Sequence, residues 1–212
     1  ELFEIAKTAR QQLDIPICYA GQYINGGMSV GCAIYPRDAQ NSSNLLRCAD
    51  VALNDLKISG RGGIQMFKRA MFQTIELTTK QLSLARAIIH NDKIIPFYQP
   101  KVSLKDGTVT GFEALLRWYD AEDQIQLPSH IFSAFQDYEL ATRISEIMQL
   151  KVFNDMTEWR ESGLELLPIS INAAPVEFLR DNYAETLLNR LAQFNIPHEI
   201  VEIEITEQSL SE

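Results

Sequence analysis

Glu113 and Arg117 sit in the stretch Gly111-Phe112-Glu113-Ala114-Leu115-Leu116-Arg117-Trp118, where the other side chains are aliphatic or aromatic. Such a run from Val109 to Trp118 predicts a β-strand. Side chains alternate along a strand, so Glu113, Leu115 and Arg117 share one face while Phe112, Ala114, Leu116 and Trp118 share the other. The second face is apolar and needs a core. The first carries a carboxylate and a guanidinium about 13 Å apart, from a rise of about 3.3 Å per residue. A carboxylate can hold a metal and a guanidinium a phosphate, so one strand face offers both halves of a phosphate-ester site. The alternative is a surface strand with two solvated charges.

Two later stretches repeat the alternation. Pro168 to Ala173 predicts a strand with Ser170 and Asn172 on one face and Ile169 and Ile171 on the other. Ile200 to Gln208 predicts another, with Glu202, Glu204 and Thr206 opposite Val201, Ile203 and Ile205. Asn172 and Glu204 are 32 residues apart, which fits one β-α-β step in a parallel sheet. Three strands thus each bring an oxygen donor: Glu113, Asn172 and Glu204. Hard oxygen donors without Cys or His favour Mg²⁺ or Mn²⁺ over zinc. Taken singly, Glu202 or Glu204 also fits a solvated face. His90, His130 and His198 share no motif and are expected at the surface or its boundary.

The elements that must position these residues follow in order. Residues 1–13 carry a helical apolar stripe that begins without a cap, which suggests that the true start lies upstream. Ile15 to Tyr19, the turn-like Asn25-Gly26-Gly27 and Met28 to Tyr35 predict a β-hairpin. A helix follows, capped by Ser42 or Ser43 and ended by Gly60, with Lys57 and Arg61 at its C-terminal end, where positive charge suits the helix dipole. Ile64 to Phe67 predicts a short strand and residues 68–91 one helix stopped by Asn91-Asp92. Ile94 to Val102 should pair antiparallel with Val109–Trp118 through the turn Lys105-Asp106-Gly107. A helix after Pro128 is expected, then a long one from about Tyr138 to Trp159 broken at Gly163. The next starts near Pro175, with Phe178, Leu179, Leu187, Leu188 and Leu191 as its stripe.

The chain has 212 residues, 46% hydrophobic, enough for one large domain or two small ones. Its net charge of −9 makes it a poor binder of nucleic acid polymers, although a metal or local arginines could still admit a small anion. Cys18, Cys32 and Cys48 form no CxxC pair and are expected to be reduced, small core residues in a cytosolic setting. No apolar run approaches the roughly 18 residues of a membrane span, though a parent chain could be anchored upstream.

Residues 1–67 resemble the C-terminal part of a GGDEF (diguanylate cyclase) domain. Met28-Ser29-Val30-Gly31-Cys32-Ala33-Ile34-Tyr35-Pro36, Leu45-Leu46-Arg47-Cys48-Ala49-Asp50-Val51-Ala52-Leu53, Lys57 and Gly60-Arg61 carry the likeness. By that resemblance Lys57 and Arg61 would hold nucleotide phosphates, so GTP is the implied partner; two cations ending a helix are the alternative. Asn54 and Gly62 depart from the family's usual tyrosine and asparagine, and the GGDEF signature itself would precede residue 1, so no cyclase activity is implied.

Residues 82–212, after a linker helix at 68–81, resemble the N-terminal half of an EAL-family cyclic-di-GMP phosphodiesterase. Tyr98-Gln99-Pro100, Phe112-Glu113-Ala114-Leu115-Leu116-Arg117-Trp118, Ser170-Ile171-Asn172 and Glu202-Ile203-Glu204-Ile205-Thr206-Glu207 carry this likeness in order. It implies an α/β chain containing the first half of a (β/α)8-type barrel. It also implies Glu113, Asn172 and Glu204 as ligands of Mg²⁺ or Mn²⁺, with Glu113 catalytic. Gln99 and Arg117 would contact the dinucleotide, and Glu207 would steady a loop of the active site. Phe135, Gln136 and Glu139 stand where the family usually has Ala, Glu and Gly, which touches the helix beside the site and the surface of an implied homodimer.

The implied reaction is metal-assisted hydrolysis of cyclic-di-GMP to linear pGpG. The family's remaining catalytic residues would lie beyond residue 212, so these residues are expected to belong to a longer chain and not to turn over alone. The alternatives are a catalytically silent cyclic-di-GMP receptor that keeps Gln99 and Arg117, and a purely structural role for a truncated product.

Overall fold

The computed structural model describes residues 2–13, 16–20, 22–24, 27–58, 63–179 and 182–205. Backbone packing divides the chain into two units, Glu1–Thr78 and Thr79–Glu212.

In the first unit, α1 (Leu2–Leu13) precedes β1 (Ile17–Tyr19) and β2 (Gln22–Ile24), which pair antiparallel. Next come β3 (Val30–Cys32), α2 (Ser42–Ile58) and β4 (Ile64–Met66), with β3 and β4 parallel. The expected hairpin is therefore corrected. Its first strand turns back already at Ala20, where φ is +50°, and the Met28–Tyr35 run pairs instead with β4. A parallel partner needs a crossover, and α2 supplies it. Asn25 and Gly26 lie outside the described residues.

Close packing of α2 on β3 depends on Gly31, because a Cβ there would fall 2.0 Å from the Ala49 carbonyl oxygen. The cap of α2 is Asn41, not Ser42 or Ser43: its Oδ1 accepts the Asn44 N–H at 2.8 Å. Cys48, Val51, Ala52, Phe67 and Met71 form the core of this unit. Cys32 and Cys48 are buried as expected, but Cys18 is an exposed free thiol.

The expected helix over 68–91 is α3 (Arg69–His90), ended by Asp92 at φ +47°. The second unit continues with β5 (Ile94–Val102), β6 (Val109–Tyr119), β7 (Ile125–Gln126), α4 (Tyr138–Glu161), β8 (Ile169–Ala173), α5 (Tyr183–Gln193) and β9 (Val201–Ile205). They form a five-stranded sheet of order β5-β6-β8-β9, with β7 paired to β6. The β5–β6 hairpin is antiparallel as expected, and its turn places Gly107 at φ +75°. β6, β8 and β9 run parallel.

One face of this sheet supplies the main core. Ala114, Leu116 and Trp118 of β6 and Ile169 and Ile171 of β8 are buried with Ile144, Met148, Val152, Phe153 and Met156 of α4. Each such large side chain contributes about 1.5–3 kcal/mol when fully buried. On the same face the Tyr98 hydroxyl donates to Asp155 of α4, and the Tyr98 ring meets Trp159 edge-on with centroids 4.9 Å apart. That pair fixes the sequence position of β5 against the helix.

Two expected helices differ from observation. Pro128–Gln136 is 3-10 helix with a break at Ile131. The long helix α4 begins at Tyr138 as expected, behind Asp137, whose side chain accepts the Leu140 N–H at 3.0 Å. After Pro175 a short 3-10 turn, Pro175–Leu179, precedes α5. Leu187 and Leu191 are buried on one face of α5 and Leu188 is exposed on another, while Phe178 and Leu179 belong to the 3-10 turn and are exposed.

Gly111, buried in β6, lets the chain before β8 approach: the Phe112 N–H donates to the Pro168 carbonyl at 2.8 Å. A Cβ at Gly111 would stand 2.6 Å from that same oxygen. Gly111→Ala should therefore destabilise the second unit by about 1–3 kcal/mol, read as a lower urea midpoint; an unchanged midpoint would show that the strands can separate freely.

Candidate functional site

Register builds the site. Gln99, Glu113, Ser170 and Glu202 are successive partners across β5, β6, β8 and β9, so they share the face opposite the core. One alternation further along the parallel strands, Asn172 pairs with Glu204. Glu113 Oε1 accepts a hydrogen bond from Asn172 Nδ2 at 2.9 Å, which brings two of the three expected ligands into contact. Arg117 lies two alternations beyond Glu113, half-buried, with Nη1 donating to the Leu116 carbonyl at 2.7 Å. Gln99 is exposed. Glu207 and Arg61 lie outside the described residues. Lys57 is exposed in the last turn of α2.

Lys101 was not singled out by the sequence, and it is the most connected group on this face. Its Nζ donates to Glu204 Oε1 at 2.9 Å, to Glu202 Oε2 at 3.0 Å and to Ser170 Oγ. Ser170 Oγ in turn donates to Glu202 Oε2 at 2.8 Å. The hydrogen bonds to Glu204 and then Glu202 raise the Lys101 ammonium above the usual lysine range. Ser170, then Lys101, holds the Glu202 carboxyl below its ordinary value, and Lys101 does the same for Glu204. All three groups stay charged near neutrality. Two positions after Gln99, strand parity alone would have put Lys101 on this face; its reach across the sheet had no local signal.

The donor set suits a hard divalent cation. Glu113, Asn172 and Glu204 offer carboxylate and amide oxygens from adjacent strands, and Asn172 keeps its Oδ1 free of protein donors among the described residues. Among the described residues no group of three or more His, Cys, Asp or Glu side chains converges on a common metal position. Two carboxylates and an amide could hold such an ion only with further positions filled from outside the protein. No helix among the described residues is long and apolar enough to cross a membrane.

Residues 81–212 match the EAL domain family, to which the chain belongs. An uncharacterized signaling protein of Caulobacter vibrioides is 30% identical over 98% of this chain and 25% of its own length. The cyclic di-GMP phosphodiesterase NbdA of Pseudomonas aeruginosa is 25% identical over 97% of this chain and 26% of its own length. The chain thus spans about a quarter of these relatives. Among solved structures, the PaMucR phosphodiesterase in complex with c-di-GMP superposes with a TM-score of 0.55 at 24% identity, over 60% of this chain and 51% of that one. At that identity the likeness supports the fold.

A largely buried polar cluster lies at the turn leaving β8. Glu177, 5% exposed, accepts the Ala174 N–H at 2.7 Å and so ties down the turn leaving β8. Arg190 of α5 donates to Gln149 at 2.7 Å and pairs with Glu146 at 3.2 Å, both on α4, and Gln149 donates to Ser145 at 3.2 Å. Burial raises the Glu177 carboxyl above its usual range, against smaller lowering contributions from the Ala174 N–H, Ser145 and Arg190. Burial likewise pushes the Tyr183 hydroxyl up to about 12. A carboxyl raised in the folded state favours folding while protonated and loses that contribution as pH climbs through its folded-state value. Glu177→Gln should therefore gain stability relative to the parent between about pH 4 and about pH 7. Urea midpoints of both proteins at the two pH values test this, and a gap that does not widen with pH contradicts it.

Proposed function

We propose that the second unit is the first half of a (β/α)8-type EAL barrel, and that the protein it belongs to hydrolyses cyclic-di-GMP to linear pGpG. The observation that carries this reading is the contact of Glu113 with Asn172, with Glu204 in register beside it and Arg117 further along the same face. Glu113, Asn172 and Glu204 would hold Mg²⁺ or Mn²⁺. Such an ion, when bound, lowers the pKa of a coordinated water and draws charge from a phosphoryl oxygen.

The chain's own residues do the rest. Arg117 presents a planar guanidinium that matches two phosphate oxygens, and Gln99 offers an amide on the same face. The displacement of Arg117 from Glu113 along β6 suits a ligand with two phosphates, one held and one cleaved. Hydrolysis adds water across one phosphodiester: the water oxygen joins phosphorus, the bond to the ribose 3′ oxygen breaks, and a proton goes to that oxygen. Glu207 is proposed, on its place in the sequence, to steady the loop after β9.

Residues 1–67 are read as the C-terminal part of a GGDEF-like domain, supported by the parallel β3–β4 pair with α2 as its crossover. Binding of GTP near Lys57 and Arg61, a homodimer through the EAL domain and a cytoplasmic location belong to the same proposal.

Calorimetric titration of the full-length protein with cyclic-di-GMP in Ca²⁺ tests the site without turnover, since Ca²⁺ is larger and orients water less strictly. Glu113→Ala should abolish metal-supported binding. Arg117→Ala should weaken the dinucleotide roughly ten- to hundredfold, from about 1.5–3 kcal/mol for a charged hydrogen bond. A Glu113→Ala protein that binds metal and dinucleotide as the parent does would sink the assignment.

A further inference from the structure

Lys101 is anchored more fully than a surface lysine requires. An ammonium has three N–H donors, and here all three find oxygen: Glu204 Oε1 at 2.9 Å, Glu202 Oε2 at 3.0 Å and Ser170 Oγ. Its register partner on β6 is Gly111, which has no side chain, so nothing on that strand blocks the path of Lys101 toward β8 and β9. Ser170 is fully buried and forms the floor of the seat, while the Lys101, Glu202 and Glu204 side chains are 39%, 57% and 41% exposed at its rim.

We propose that Lys101 is a resident counter-ion of the metal site, seated on Glu204 when no divalent cation is bound, and that metal entering at Glu204 must displace it. This rests on the proposed role of Glu204 as a ligand. Three carboxylates on this face, Glu113, Glu202 and Glu204, repel one another, and a single ammonium offsets part of that repulsion. A doubly charged ion arriving at Glu204 meets that ammonium at short range and competes with it for the same oxygen. The lysine therefore sets the divalent concentration at which the site fills, while keeping the acidic face ordered below that concentration. Lys101 is a positioning residue in this account; it touches a ligand and not the substrate.

Titration calorimetry of Mn²⁺ into the full-length protein, without nucleotide, reads this directly. Lys101→Met should tighten Mn²⁺ about tenfold, the scale of repulsion between a single and a double charge a few ångströms apart in near-aqueous surroundings. Lys101→Arg, which keeps the charge, should show no such gain. Parent binding with unchanged or weaker affinity in Lys101→Met overturns the inference and leaves the ligand assignment standing. No Mn²⁺ binding by either protein overturns both. Should Lys101→Met fail to fold, NMR of the lysine side-chain nitrogens in the parent during a Mg²⁺ titration decides: the Lys101 signal should move and its ammonium hydrogens exchange faster as metal binds, and a signal that stays put overturns the proposal.

Discussion

The parallel register of β6, β8 and β9 is the constraint on which the second unit depends. A strand has only two faces, and a slip of one residue sends every side chain to the wrong one. With Glu113 opposite Ser170 and Ser170 opposite Glu202, the apolar partners Ala114, Ile171 and Ile203 are forced into line on the other side. The same backbone hydrogen bonds therefore decide both where the core lies and where the acidic groups meet. A slip would place Glu113 against α4 and Trp118 in water, so burial of the core enforces the geometry of the site.

That coupling explains why so much of the site was legible before any coordinates. Period-two alternation needs only local sequence, and it put Glu113, Asn172 and Glu204 on polar faces correctly. The 32-residue spacing from Asn172 to Glu204 fixed a single crossover, and the two prove to be direct register partners. The β5–β6 hairpin was readable because its turn chemistry and its apolar runs agree. Lys101 was harder. Its face was available from parity, but its partners are about a hundred residues away and belong to a strand that only the tertiary fold brings near.

The errors have the same cause in reverse. In the first unit, Asn25-Gly26-Gly27 carries the composition of a hairpin turn, yet Val30–Cys32 finds a better partner in Ile64–Met66 across α2. Gly31 was the informative residue there, since only a glycine lets α2 sit against β3 so closely. The start of α5 was misplaced because Pro175 is compatible with a first helical turn, and it opens a short 3-10 turn instead. Glu177 folds back to bind the Ala174 N–H, and one 3-10 turn is spent holding the strand end that presents Asn172. Local propensity describes what a segment prefers alone; a strand end is shaped also by what its neighbours require.

The charge balance of the chain makes a final point about the site. A protein of net charge −9 that presents Glu113, Glu202 and Glu204 on one face is ill suited to approach by an anion. Two cations offset part of that charge. Arg117 stands apart from the carboxylates by two alternations of β6, so its guanidinium is not consumed by them and its described hydrogen bond goes to a backbone carbonyl. Lys101 lies on the opposite side of Glu113 along the sheet and is taken up by Glu202, Glu204 and Ser170. The two cations thus differ by position: one is paired with the protein's own acids, and the other has its described hydrogen bond on the backbone.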